Sequence, residues 1–147
     1  MTTGTLPRWL KPMNKVVIAL GRLGVPAGPM VTLTVRGRTS GQPRATPVTP
    51  ITVDGREYVI AALEEADWAR NLRAADGRAT IARGRRTTPS TLVEITDIGA
   101  QLPVLRAFPV QARGGVPFYV RLGLVTAADP DQFAALAGRV AVFEITA

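Results

Sequence analysis

Between two strand-like segments the sequence places "TVRGRTSGQPRATPVTP", residues 34–50. Three arginines (Arg36, Arg38, Arg44), two hydroxyls (Thr39, Ser40) and two glycines (Gly37, Gly41) fall within nine positions of one connection. Guanidinium forks grip phosphate or carboxylate through paired hydrogen bonds. Glycines leave backbone N–H groups uncovered, and successive exposed amides make a concavity for anions. The chemistry such a unit offers is anion binding. An ordinary charged hairpin fits the same composition, because Gly, Thr and Ser are common turn residues. It is not a nucleotide-binding P-loop: no Gly-Lys-Ser/Thr follows a four-residue gap and no helix begins there.

The rest of the composition restricts what that anion could be for. The 147-residue chain has 18 Lys+Arg against 11 Asp+Glu, a formal charge of +7. That balance suits nucleic acid, phospholipid head groups or an anionic small molecule. It contains neither Cys nor His, which excludes thiolate catalysis, disulfides, Cys- or His-ligated metals and a Ser-His-Asp hydrolase. No metal site is expected. An enzyme of this composition takes its difficult chemistry from a cofactor. Nucleic acid is disfavoured as a partner, since aromatics are 5% of the chain and no strand offers paired rings for base stacking.

The elements that must hold the connection follow from periodicity and breakers. "LPRWLKPMNKVVIALGRLG" reads as a helix opening at Pro12, with Met13, Val16, Val17, Leu20 and Leu23 on one face and Lys15 and Arg22 opposite. Such a helix covers a core or lies on an anionic membrane through residues 8–23. "MVTLTVR" alternates as a strand, and "ATPVTPITVD" is expected as a second, whose Pro47 and Pro50 suit a sheet edge. Asp54-Gly55 is a two-residue turn into a third strand, "REYVIAAL". "EEADWARNLRAAD" is a helix with acids leading and Arg70 and Arg73 near its end. Two further strands meet near Gly84, with Arg83, Arg85 and Arg86 as a solvated tip. "AQLPVLRAF" follows as a helix, "GGVPFYVRLG" as a loop with room for a helical turn, "DPDQFAALAG" as a helix capped by Asp129, and "RVAVFEIT" as a closing strand. This order predicts one α+β domain over 1–147, a mainly antiparallel sheet curling toward a barrel, with an N-terminal amphipathic helix and short packing helices. No apolar run reaches the roughly 20 residues of a membrane span, so a cytoplasmic protein, peripheral on the membrane's inner face if the first helix touches lipid, is expected.

"LTVRGRTSGQPRATPV", "DGREYVIAA" and "ADWARNLRAADGRATI", in that order and spacing, resemble the deazaflavin (coenzyme F420)-dependent nitroreductase and quinone reductase family of split β-barrel oxidoreductases. The resemblance implies an F420-dependent enzyme that transfers hydride from the reduced deazaflavin to an electron-poor, hydrophobic acceptor: an activated alkene or enone, quinone, unsaturated fatty acid or nitro compound. It implies that Arg38, Thr39, Ser40, Gly41 and Arg44 hold the coenzyme's phosphodiester. Thr46 and Pro47 would lie along the ring, Ala61 and Leu63 would back it, and Trp68, Asn71 and Arg73 would contribute from the helix. Tyr119 is the candidate proton donor or substrate contact. Three departures bear on the site: Thr39 stands where the family commonly has Lys, Ala69 where an aromatic often follows the tryptophan, and Asp76-Gly77 where Asn-Pro commonly ends the helix. The alternatives are FMN in the same barrel, or a non-catalytic membrane-surface or lipid-binding protein.

Overall fold

The computed structural model describes residues 30–146; the amphipathic helix expected to open at Pro12, and with it the membrane contact expected through residues 8–23, lies outside the described residues. Among the described residues, seven strands and four α-helices follow one another as β1 (Val31–Arg36), β2 (Pro43–Val48), β3 (Ile51–Val53), β4 (Arg56–Ala61), α1 (Asp67–Ala74), β5 (Arg78–Arg83), β6 (Arg86–Ile95), α2 (Ile98–Gln111), α3 (Val116–Arg121), α4 (Pro130–Ala134) and β7 (Ala141–Thr146). The strands hydrogen-bond in the order β2-β1-β5-β6-β7-β4-β3. The β1–β2, β1–β5, β5–β6, β3–β4 and β4–β7 pairings are antiparallel. This is the α+β antiparallel class expected from sequence, consistent with a split β-barrel.

The expected second strand is two strands, β2 and β3, parted at Thr49-Pro50. The break falls where Pro50 lacks a backbone donor, and β2 and β3 end up at opposite edges of the strand order. On β2 the prolines have a specific address. The Gly37 N–H donates to the Gln42 carbonyl at 2.8 Å, which marks that pair as hydrogen-bonded. Alternation along an antiparallel ladder then turns the backbone groups of Pro43, Ala45 and Pro47 outward. Two of those three positions have no N–H to offer a passing strand, which blunts the edge.

Contacts divide the chain into two compact units. The first, residues 30–48, 65–92 and 146 among those described, contains β1, β2, α1, β5 and most of β6. Val31, Leu33 and Val35 alternate inward from β1, and Ala69 and Leu72 of α1, Ile81 of β5 and Leu92 of β6 are likewise buried. Gly77 ends α1 and fixes its exit. Its N–H donates to Leu72 O and its carbonyl accepts from Leu92 N, both at 2.8 Å. Its φ is +80°, and an added Cβ would stand 2.2 Å from Leu92 O. Only glycine fits there.

The second unit, residues 49–64 and 93–145, contains β3, β4, α2, α3, α4 and most of β7. Its core gathers Val104, Leu105, Phe108, Tyr119, Phe133 and Val142. The rings of Phe108, Tyr119 and Phe133 pack with centroids 4.9–5.4 Å apart, the tilted geometry aromatic quadrupoles prefer. Asp97 and Asp129 cap α2 and α4 by accepting the Ala100 and Asp131 amides at 2.8 and 2.9 Å, the second as expected. At the β3 edge the Gln111 side chain imitates a strand: its Oε1 accepts from Thr52 N at 2.8 Å and its Nε2 donates to Thr52 O at 2.7 Å. The helical turn expected within the loop "GGVPFYVRLG" is α3, where Pro117 sits in the first turn and Val116 and Tyr119 are buried.

Candidate functional site

The arginine-rich connection folds as a closed turn. The Gly41 N–H donates to Gly37 O at 2.9 Å, one helical turn back along the chain. The Gln42 N–H donates to Ser40 Oγ at 3.1 Å. The two glycines serve different ends. Gly41 has φ +73°, the left-handed region that L side chains avoid. Gly37 has an unremarkable φ but no room: an added Cβ would lie 2.8 Å from Ser40 Oγ and 3.1 Å from Gln42 O. The expectation of uncovered amides is corrected here for both glycines and for Arg38 and Gln42, whose N–H groups are all engaged within the fold. What the turn offers a ligand is side chains: Arg36, Thr39, Ser40 and Arg44 are exposed, and the Arg38 side chain is half-buried. Arg36 runs over the turn, its Nη2 3.5 Å from where a Gly41 Cβ would stand. Arg44 Nη2 reaches Ser40 Oγ at 3.5 Å.

Arg38 joins this turn to α1 across 33 residues of sequence. Its backbone N–H and its Nη1 both donate to Asn71 Oδ1, at 3.1 and 2.7 Å. Asn71 is 4% exposed, so one buried carbonyl fixes the turn's backbone and aims its guanidinium. The Arg38 Nη2 meets Asp67 Oδ1 at 3.3 Å. Asp67 stands in the first turn of α1, where the helix dipole already favours a carboxylate; the expected leading acids Glu64 and Glu65 precede the helix. Glu65 is 3.8 Å from Arg70 and 3.9 Å from Arg73. The structure therefore brings Arg38, Thr39, Ser40, Gly41 and Arg44 together on one turn and ties Asn71 to it. Asp67 was not anticipated as a site residue, because no local spacing marks a contact made over 29 positions.

The remaining candidates fall as follows. Directly paired residues of a ladder share a face. Leu33 pairs with Thr46, Val35 with Arg44 and Thr32 with Pro47, so Thr46 and Arg44 share one face of β2 and Pro47 points to the other. Trp68 is half-buried, while Leu72 beside it is fully buried. Ala61 and Leu63 belong to the second unit; Ala61 is buried opposite Ala141 and Leu63 is half-buried. Tyr119 lies in that unit's aromatic core, and burial pushes its phenol further above the ordinary tyrosine range.

Several exposed guanidiniums and two hydroxyls beside an antiparallel sheet, in a chain with neither His nor Cys, fit the anionic handle of an organic cofactor. The antiparallel strand order is that of a split-barrel fold. The family model for the F420H(2)-dependent quinone reductases matches residues 13–119, and the chain belongs to that family. It is an F420H2-dependent oxidoreductase. No curated protein matches the sequence. Among solved structures, a conserved hypothetical protein of Mycobacterium tuberculosis is similar over 100% of this chain and 84% of its own, at 14% identity and TM-score 0.57. A structure described as a domain-swapped dimer is similar over 93% of this chain and 96% of its own (18% identity, TM-score 0.53). An FAD-binding protein of Mesorhizobium loti matches over 89% and 86% (16% identity, TM-score 0.50). At these identities the likeness is one of fold.

Proposed function

We propose that this reductase uses the Arg36–Arg44 turn to hold the phosphodiester of coenzyme F420 and passes reducing equivalents to an electron-poor, hydrophobic acceptor of the quinone or enone class. Nitro compounds belong to the same electron-poor set; the isolated double bonds of an unsaturated fatty acid are not activated and make it the weakest acceptor of the four. The observation that carries this reading is the hydrogen bonding of Arg38 to buried Asn71. It joins the two halves of the sequence signature and aims a guanidinium without consuming all its donors.

In this reading Arg38 and Arg44 bind the phosphodiester, with the Thr39 and Ser40 hydroxyls as further donors. Gly41 keeps the turn closed beneath them. Thr46, on the same face of β2 as Arg44, and the edge residue Pro47 flank the ring. Trp68 and Asn71 support the site from α1, and Arg73 adds positive charge. When bound, the reduced deazaflavin supplies a hydride. The protein's own contribution is to fix cofactor and acceptor at reacting distance and to keep positive charge near developing negative charge. The proton comes from solvent. Tyr119, packed among Phe108, Phe118 and Phe133, is a weaker acid than a free tyrosine because its phenolate would be desolvated.

The test is stopped-flow oxidation of the reduced coenzyme by the protein with a naphthoquinone, a cyclic enone, an unsaturated fatty acid and a nitroarene. Turnover of the quinone or enone above the other two is expected. A protein that binds the coenzyme and reduces none of the four would refute the acceptor assignment.

A further inference from the structure

We propose that Asp67 sets the phosphate charge the site accepts, favouring a singly charged diester over a doubly charged monoester. This rests on the placement of the cofactor's phosphodiester at Arg38 proposed above. Arg38 cannot move away from Asp67 without breaking other bonds, since its backbone N–H and Nη1 are both held by Asn71 Oδ1. Its Nη2 is left facing the Asp67 carboxylate at 3.3 Å. That carboxylate is 87% exposed, so it is hydrated and carries its charge where an incoming anion arrives. Any phosphate that reaches Arg38 must share the guanidinium with a resident negative charge.

The sharing discriminates by charge. Two anions on one guanidinium stand on the order of 6 Å apart, and in water a unit pair at that distance repels by roughly enough to change affinity threefold. A diester meets that repulsion once. A monoester, which carries close to two charges at neutral pH, meets it about twice, for roughly tenfold. Arg36 and Arg44 on the same turn have no acid of the turn beside them: among residues 36–44 none is acidic. The selective element is therefore Asp67, the carboxylate paired with Arg38, and a flavin mononucleotide phosphate is the ligand it disfavours.

Calorimetric displacement of oxidised F420 by FMN, and by FMN whose phosphate is methylated to a diester, isolates one unit of charge on one scaffold. The proteins compared are wild type, Asp67→Asn and Arg38→Gln. Asp67→Asn keeps an acceptor for Arg38 and removes the charge. It is expected to tighten FMN about tenfold and the methyl ester about threefold, with both gains shrinking in 0.5 M salt as screening grows. Equal gains for the two ligands, no gain, or no displacement by FMN from either Asp67 protein overturns the role of Asp67. F420 affinity that is indifferent to Arg38→Gln overturns instead the phosphate placement beneath it.

Discussion

Asn71→Ala is the perturbation with the most direct physical consequence. One side-chain oxygen, in a residue 4% exposed, accepts both the Arg38 amide and its Nη1. Truncation leaves the amide without a protein partner in a part-buried position, which costs about 1–2 kcal/mol. The guanidinium bond is charge-assisted, but the Arg38 side chain is 28% exposed and water replaces part of what is lost, so about 1 kcal/mol more is reasonable. The sum, about 2–3 kcal/mol, corresponds to a fall in melting temperature of roughly 5–10 °C for a chain of this size. Urea denaturation gives the stability, and a titration with oxidised F420 gives the second effect. With the turn no longer anchored, cofactor affinity should fall by more than the loss of one neutral contact allows, about tenfold or more. Asn71→Asp is the control: it keeps the acceptor, restores stability, and still weakens an anionic ligand by adding a negative charge. An alanine variant within about 0.5 kcal/mol of wild type would refute the claim that Asn71 anchors Arg38.

Two further outcomes follow from local geometry. Gly77→Ala forces a Cβ to within 2.2 Å of Leu92 O at a φ of +80°, and should destabilise by about 3 kcal/mol or more, a loss that thermal denaturation would miss only if the α1–β5 junction is not as described. Tyr119 has its phenol raised by burial, so the folded protein holds a proton that the unfolded chain releases near pH 10. Stability is therefore intact below about pH 10 and declines above it by up to roughly 1.4 kcal/mol per pH unit. Tyr119→Phe should flatten that slope in denaturation series at pH 9–11.5, and an unchanged slope counts against a buried Tyr119.

The arginine-rich turn was legible because its composition is local: arginines, hydroxyls and glycines within nine residues announce a charged connection whatever surrounds them. The helix carrying Trp68 and Asn71 was legible for the same reason, from its Trp-x-x-Asn-Leu-Arg run and the Gly77 that ends it. What joins them was not legible. The Arg38–Asn71 and Arg38–Asp67 bonds span 33 and 29 positions, and periodicity carries no information at that range. The fate of the amides was misjudged in the same way, since Gly37 was expected to expose its N–H and instead closes the turn onto Gln42 O. Breakers also misled where tertiary packing overrode them. Gly114, Gly115 and Pro117 read as a loop holding at most a helical turn, but Pro117 needs no donor in the first turn of a helix, and burial of Val116 and Tyr119 holds α3. Pro103 and Pro109 both lie inside α2, which runs past the Phe108 expected as its end because Leu105, Phe108 and Ala112 are buried along it.

The central claim is that the guanidiniums of one turn seat the phosphodiester of the coenzyme. It is tested most directly by the dissociation constant of oxidised F420 for Arg38→Gln, Arg44→Gln and the double variant, each checked for native stability and measured at two salt concentrations. Loss of roughly tenfold for each single change, more for the pair, and a weaker salt dependence in the double variant are the predicted results. A stably folded double variant that binds F420 as wild type does, with the same response to salt, would contradict it.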